Sequence, residues 1–509
     1  MKIVTHKILA SLASVTLVGF SAFITKTKPE FNLSRPNIII ILADDMGYGD
    51  TQCNNPNAQT LTPHLNQLAK EGLRFTDAHS GSAVCTPTRY GLLTGRYAFR
   101  SPLKKGVLGG YSPMLIEPER FTVADLLKQA GYKTAAIGKW HLGLNWPSNA
   151  NLKPQELGSP SEQASATNVD LKSDLVKGPN DLGFDYSYII SSSLDIPPYV
   201  YLENGKPTER VITDIAGNNN PRGVFWRAGK GAEHFKLEQT LDHFTQQAQT
   251  FIQQASRDTK PFFLYLPLTS PHTPWLPAAD FQGKSKAGIY GDFVTHTDDV
   301  VGRILKTLDE AGVKDNTLVI FTSDNGADWK PGDAEKFPAH QANYIYRGQK
   351  SDIWEGGHRV PFLVRWPAAF KNPRSVSQTV CLTDMMATFA TLTKQSLPAH
   401  SAQDSFDFST YFTSKNPTKA NRVSTIHHSI SGMFAIRKGK WKYVEGQGSG
   451  GWSKDESPLK HLEAQLYDLE NDPRETSNLL EKQPVIASEM KSLLIKQREQ
   501  GFSRMGAKE

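Results

Sequence analysis

The sequence predicts an α/β fold: a large, doubly wound, mixed and mostly parallel sheet sandwiched by helices, with a smaller C-terminal α+β subdomain of antiparallel sheet plus helix. Three observations carry this. Residues 36–45 read PNIIIILADD, and an unbroken β-branched run of this kind suits a strand buried on both faces. Strand-like runs then alternate with helical patterns as far as Asp384. Beyond Asp384 short strands follow one another before a last helix.

The elements follow in order. Thr62 and Pro63 open a helix through Leu65, Leu68 and Ala69, which Gly72 closes. Thr122 caps a second, with Val123, Leu126 and Leu127 on one face and Gly131 after it. Lys133 to Ile137 is a strand. Trp146 to Gly183 is polar and rich in Ser, Asn and Pro, a long surface loop, and Ile189 to Gly231 is irregular as well. Leu237 to Ser256 is helical, with Leu241, Phe244, Ala248, Phe251 and Ile252 at helical spacing. Pro261 to Leu268 (PFFLYLPL) is a buried strand, Phe293 to Gly312 a helix, and Thr317 to Thr322 (TLVIFT) the next strand. Thr383 to Thr393 is helical; Thr425 to Ser429, Met433 to Arg437 and Lys440 to Val444 are short strands; Ile486 to Arg498 is the last helix. No internal repeat is present.

The 509 residues, 38 % hydrophobic and 10 % aromatic, suffice for one large domain and a smaller one. A formal charge of +6, with basic residues dispersed, argues against nucleic-acid binding. Lys2, His6 and Lys7 precede an apolar stretch from Ile8 to Ile24, and Lys26 and Lys28 follow it: the pattern of an export signal. Ser11, Ser14, Thr16 and Ser21 weaken that stretch as a membrane span, so a signal peptide over residues 1–28, cut between Ser21 and Pro29, is expected; an uncleaved anchor is the alternative. The expected protein is exported, periplasmic or extracellular in a bacterium, with no stable membrane span after cleavage. Cys53, Cys85 and Cys381 are the only cysteines, which excludes a disulfide scaffold and leaves at most one bridge.

The informative residues stand where buried strands end. The first strand ends in Asp44 and Asp45, and the strand from Thr317 runs into Asp324 and Asn325. The strand from Lys133 leads to Lys139 and His141, and that from Pro261 to Ser270, Pro271 and His272. Open α/β sheets bind ligands beyond the carboxyl ends of their strands. Three carboxylates and an amide carbonyl form an all-oxygen set, which suits Ca²⁺ or Mg²⁺ rather than zinc or copper. Singly, each residue has a plainer reading as a helix cap, turn histidine or solvated lysine; jointly they argue for a site.

Cys85 lies in SAVCTPTR, where Pro87 fits the first turn of a helix and Gly95 its end. A thiol just before a helix N-terminus meets the positive end of the helix dipole, although a lone cysteine is ordinarily an inert buried thiol.

Cys85-x-Pro87-x-Arg89, continuing into Leu93-Thr94-Gly95-Arg96, resembles the signature of type I sulfatases in the alkaline phosphatase superfamily. The companion segments stand in the same order: Asp44-Asp45, Gly138-Lys139-Trp140-His141, Ser270-Pro271-His272, Asp324-Asn325-Gly326, and Arg347-Gly348-x-Lys350 with Glu355-Gly356-Gly357. Arg437 to Lys442, Leu466 to Leu469 and Asn478-Leu479 look like the family's C-terminal subdomain. The resemblance covers Arg35 to Leu480 and implies a catalytic α/β domain at 35–395 and a subdomain at 396–509. The sequence is similar to the arylsulfatase A and N-acetylgalactosamine-6-sulfatase branches.

What the resemblance implies is specific. A separate formylglycine-generating enzyme would oxidise Cys85 to formylglycine (3-oxoalanine), whose hydrated form supplies the nucleophilic hydroxyl. Asp44, Asp45, Asp324 and Asn325, with the modified Cys85, would hold Ca²⁺ in preference to Mg²⁺. Arg89, Lys139 and Lys350 would add positive charge around the sulfate; His272, with Lys350, would be the acid for the leaving alcohol; His141 would be the base on the second hydroxyl. Export and long loops favour a sulfated polysaccharide or its oligosaccharides, of galactose or GalNAc type, with Trp146, Trp226, Trp275 and Trp329 as candidate stacking faces and His340, Arg347, His358 and Arg359 as candidate sugar contacts. Two alternatives stay open here: a phosphate or phosphonate ester hydrolase of the same superfamily, and a non-catalytic glycan binder.

Overall fold

Side chains of the Asn37–Asp44 strand divide between two cores, as period-2 geometry demands. Ile38, Ile40 and Leu42 enter one apolar cluster; Ile39, Ile41 and Ala43 enter the other; all are fully buried. This strand is central in a ten-stranded sheet ordered Arg374–Val376, Leu73–Phe75, Phe362–Arg365, Thr317–Ser323, Asn37–Asp44, Phe262–Pro271, Lys133–Lys139, Tyr186–Ile190, Leu202–Glu203, Lys206–Pro207. The five strands from Thr317–Ser323 to Tyr186–Ile190 are mutually parallel, whereas Phe362–Arg365 and Leu202–Glu203 pair antiparallel. The sheet is therefore mixed and mostly parallel, the class expected from the sequence.

The structure, a computed structural model, describes Met1, residues 35–147, 169–370, 372–414, 417, 422–455, 462–504 and 506–508. The expected signal peptide and its cleavage region, and residues 148–168 of the long polar loop, lie outside the described residues. Among the described residues no helix is long and apolar enough to cross a membrane. Asn32–Glu509 forms one compact unit.

The helices begin and end for local reasons. Thr122 Oγ1 accepts from the Asp125 amide at 3.1 Å, capping Val123–Gln129. Cys85–Thr94 ends at Gly95, whose φ of 64° is the left-handed C-terminal cap that glycine adopts without a Cβ penalty. Cys85 is thus the first helical residue, one position further in than the sequence suggested. Met385–Thr393 and the long Gly288–Glu310 and Thr240–Ala255 helices cover the two sheet faces. Within the stretch read as irregular, Ile189 and Ile190 belong to Tyr186–Ile190 (YSYII), a full member of the parallel sheet.

The C-terminal region builds a four-stranded antiparallel sheet: Thr425–His428, Phe434–Lys438, Trp441–Val444 and Gln465–Asp468. Ile426, Ile436 and Leu466 pack on Ala487, Met490 and Leu494 of the Pro484–Glu499 helix. Ala435, Val444 and Tyr467 face Ile353 and Trp354. That second face brings the C-terminal sheet against the segment that carries Lys350.

A buried charge cluster clasps the two sheets. Arg359 Nη2 lies 2.7 Å from Asp77 and 2.9 Å from Glu355, Arg437 Nη1 is 2.9 Å from Asp77, and Lys442 Nζ is 2.8 Å from Glu475. His79, His358 and His427 sit among them, with the His358 and His427 rings stacked at 3.8 Å. Burial, then Arg437, lowers His79 to about 4, and burial lowers His428 to about 4. The unfolded chain takes up these protons near 6.5 and the folded chain only near 4, so acid favours unfolding across that window. Stability should fall as pH drops from 6.5 to 4, by at most roughly 3 kcal/mol per histidine. Urea denaturation at pH 7 and pH 5 checks this; an unchanged midpoint would contradict it.

Candidate active site

The parallel strands deliver their carboxyl ends to one edge. Ala43 is in register with Ser323, Asp44 with Pro271, and Lys139 with Ile190. The residues that follow these ends therefore converge. Gly138, at φ 131°, permits this on the Lys139 side, because a Cβ there would lie 1.9 Å from the Pro267 carbonyl oxygen. Two non-glycine residues at these ends also take left-handed backbone, Asp45 at φ 64° and His141 at φ 54°. Strain of this kind costs about 1–3 kcal/mol and collects at functional sites.

Asp44 and Asp45 lie beside Asp324 and Asn325, all buried. The Asp45 amide donates to Asp324 Oδ1 at 3.2 Å, and Asn325 Nδ2 donates to Asp45 Oδ1 at 2.6 Å. Lys139 Nζ bonds Asp44 Oδ2, and Lys350 Nζ donates to Asp45 Oδ2 at 2.8 Å. Arg89 gives Nη2 to Asp324 Oδ2 at 2.8 Å and Nη1 to the Lys139 carbonyl at 2.9 Å. With Nη2 also 3.5 Å from Asp44, Arg89 braces the carboxylates from behind.

Electrostatics separates the two braced acids. Burial alone would raise Asp44, but Lys139, His272, Arg89 and Lys350 together hold it well below the usual carboxylate range. Asp324 is pushed up to about 7 by burial and by Asp44 beside it, against Arg89. Lys350 stays well above the ordinary lysine value despite burial, because Asp45 favours its charge.

Cys85 opens the Cys85–Thr94 helix and is 2 % exposed. Burial pushes its thiol up to about 12, outweighing Lys139 and Lys350. At neutral pH the unmodified side chain is therefore a protonated thiol, a poor nucleophile. Ligand atoms of Asp44, Asp45, Cys85 and His272 all lie within 4.8 Å of one another. Among the described residues Asp44 Oδ1 and Asn325 Oδ1 are buried without a hydrogen-bond partner, Arg89 Nη2 standing 3.5 Å from the former. Orphaned hard oxygens in an acidic pocket fit a divalent cation such as calcium.

The two histidines differ. His141 Nε2 donates to the Leu108 carbonyl at 2.7 Å, which leaves Nδ1 as a buried acceptor without a partner among the described residues. Burial, then Lys139 and Arg89, holds His141 well below the ordinary imidazole value, so its ring is neutral and Nδ1 carries a free lone pair. His272 Nδ1 donates to the Thr273 carbonyl at 2.6 Å, which turns Nε2 toward Asp45 Oδ2 at 3.6 Å.

All ten site residues named from the sequence thus meet at one edge of the sheet. Sequence reading missed the support beneath them. Tyr290 donates to Asp50 Oδ2 at 2.5 Å and reaches the Asp45 carbonyl at 3.3 Å, while His340 Nε2 holds Asp50 Oδ1 at 2.9 Å. Asp195, 3.9 Å from His272 and held by Arg227 at 2.6 Å, was missed too. Of the proposed sugar contacts, His340 is committed to Asp50, and His358 and Arg359 to the charge clasp. Arg347 stacks on Trp354 at 3.6 Å. Trp146 and Trp275 are buried, whereas Trp226 and Trp329 are partly buried.

Comparison with known proteins adds to this geometry. The Sulfatase family profile matches residues 36–395. An N-acetylgalactosamine-6-O-sulfatase of Bacteroides thetaiotaomicron is 34 % identical over 503 residues, covering 91 % of this chain and 93 % of the relative. Human arylsulfatase A is 31 % identical over 462 residues, covering 87 % and 83 %. A solved B. thetaiotaomicron structure, from work on the metabolism of multiple glycosaminoglycans, superposes with a TM-score of 0.78 at 32 % identity, covering 91 % of this chain and 99 % of its own. The fold, the converging strand ends and these matches agree: the chain belongs to the Sulfatase family and is a sulfuric ester hydrolase.

Proposed function

We propose that this enzyme removes sulfate from a sulfated polysaccharide or its oligosaccharides, of galactose or GalNAc type, using a nucleophile made by oxidation of Cys85 to formylglycine. One observation carries the mechanism. Cys85 opens a helix with its Sγ within 4.8 Å of ligand atoms of Asp44, Asp45 and His272, at the centre of the charged site, yet burial pushes its thiol up and makes the unmodified side chain a poor nucleophile. Chemical conversion by a separate oxidising maturation enzyme resolves that conflict. The names of the similar B. thetaiotaomicron proteins, which refer to N-acetylgalactosamine-6-sulfate and glycosaminoglycans, support the sugar class.

The residues divide the work. Asp44, Asp45, Asp324 and Asn325, with oxidised Cys85, would hold calcium, which supplies Lewis-acid polarisation of a sulfate oxygen and of the nucleophile. Lys139 and Lys350 neutralise sulfate oxygens, and Arg89 fixes the carboxylates that face them. His272 Nε2 protonates the leaving sugar oxygen. His141 Nδ1 takes the proton that allows sulfate to be expelled. The apolar N-terminal stretch supports export, with the periplasm or cell exterior as the working compartment in a bacterium.

Release of free sulfate from GalNAc 6-sulfate, galactose sulfates and their oligosaccharides tests this reading. The expected result is turnover on at least one of them, with aryl phosphate hydrolysed far more slowly than aryl sulfate. Turnover confined to phosphate esters would overturn it.

A further inference from the structure

One exposed aromatic face beside Lys350 belongs to none of the tryptophans singled out from the sequence. Trp452 is 45 % exposed. It follows the glycine-rich turn after the Trp441–Val444 strand, in the C-terminal subdomain. Its ring centroid lies 5.8 Å from Lys350 Nζ, the same ammonium that donates to Asp45 in the sulfate pocket. The centroid is also 5.9 Å from Nζ of the exposed Lys330.

The loop is built to hold that ring in place. The Trp452 amide donates to Ser351 Oγ and to Asp352 Oδ1, each at 2.9 Å, and the Ser453 amide reaches Asp352 Oδ1 at 3.1 Å. The Ile353 amide donates to the Ser449 carbonyl at 2.8 Å. Gly451 lies so close that a Cβ would fall 2.5 Å from both Asp352 Oδ1 and the Ser351 carbonyl oxygen. The turn therefore has its backbone locked against the segment carrying Lys350 while its one large side chain remains 45 % exposed. A rigidly held indole, 45 % exposed and beside Lys350, offers an apolar face and an N–H to a bound ligand.

We propose that Trp452 and Lys330 form the glycan subsite adjoining the sulfate pocket. Trp452 stacks on the C–H face of the sugar that bears the sulfate. Lys330, 5.9 Å from the ring centroid, pairs with an anionic substituent, carboxylate or sulfate, on the adjoining unit. The substrate is then an anionic oligosaccharide rather than an isolated sulfated monosaccharide. This rests on the sulfate-ester reading above and assigns to it residues of the sugar site.

The test uses GalNAc 6-sulfate, a tetrasaccharide of alternating GalNAc 6-sulfate and glucuronate, and inorganic sulfate as a competitive inhibitor that fills only the sulfate pocket. In Trp452→Ala, KM for both sugars should rise roughly 10- to 100-fold, the loss of one buried stacking face. The inhibition constant of inorganic sulfate should stay within about twofold, since its contacts remain, and Trp452→Phe should recover most of the loss. In Lys330→Gln, KM should rise only for the tetrasaccharide, and the difference should vanish at high salt. Unchanged KM values in Trp452→Ala overturn the proposal. So does a parallel weakening of inorganic sulfate, which would mean that the ring acts only through Lys350. An unchanged tetrasaccharide KM in Lys330→Gln removes that residue's part.

Should the wild-type enzyme release no sulfate from either sugar, it is the GalNAc 6-sulfate reading that fails. The subsite is then judged by calorimetric binding of the tetrasaccharide to Cys85→Ala protein. Loss of affinity on adding Trp452→Ala supports it; equal affinity, or no binding at all, overturns it.

Discussion

Replacing Cys85 with alanine lowers kcat/KM for sulfate release by on the order of 10⁴-fold or more, the scale expected when a covalent nucleophile is removed. The rest of the site should persist, because Asp45, Asp324 and Lys350 are held by one another and by Arg89, and Asp44 by Lys139, rather than by the thiol. Cys85→Ser is the more informative variant. A serine hydroxyl can accept the sulfuryl group, but it has no second hydroxyl from which His141 could take a proton to expel it. The expected result is one turnover per enzyme followed by arrest, with intact mass showing a sulfated protein. Steady-state turnover by Cys85→Ser at the wild-type rate would refute the role given to His141 and to the modification.

Asp45→Asn should have the second largest effect, lowering kcat/KM by on the order of 10³-fold through loss of preorganised charge. Among the described residues the Asp45 carboxylate collects Lys350 at 2.8 Å, Asn325 at 2.6 Å and His272 at 3.6 Å. The amide keeps the shape and removes the charge, so Lys350 is left buried without its anionic partner. Truncating one side of a buried pair costs about 3–5 kcal/mol. A readout independent of turnover is the rise in Tm on adding calcium, which follows from binding to the folded state alone. Wild type should show the rise, and Asp45→Asn should lose most of it. An equal rise in both proteins would contradict a cation held by Asp45.

Much of this could be read from the chain, and the parts that could not have physical reasons. The central strand was legible because Ile38 to Leu42 is apolar at every position, which only a doubly covered strand tolerates. The polar residues after strand ends were legible because parallel topology sends all of those ends to one edge. Tyr186–Ile190 was harder, since YSYII carries a serine and two tyrosines and has no apolar run of its own. It becomes a strand by pairing with Lys133–Lys139, a tertiary effect. His358 and Arg359 had the residue types of a sugar site, but their partners Asp77, His79 and Lys442 lie far away in sequence, so their place in the clasp was invisible. Trp452 shows the same limit. Nothing near it in the chain hints at Lys350, and only the docking of the C-terminal sheet on Ile353 and Trp354 brings the two together.

The central claim is that oxidised Cys85, not its thiol, performs the hydrolysis. The most direct measurement plots specific activity against the fraction of Cys85 converted to the aldehyde, quantified by mass spectrometry of the peptide that spans it. Preparations made with increasing amounts of the maturation enzyme supply the range. The account predicts a straight line through the origin. Full activity in protein whose Cys85 remains an unmodified thiol would contradict it.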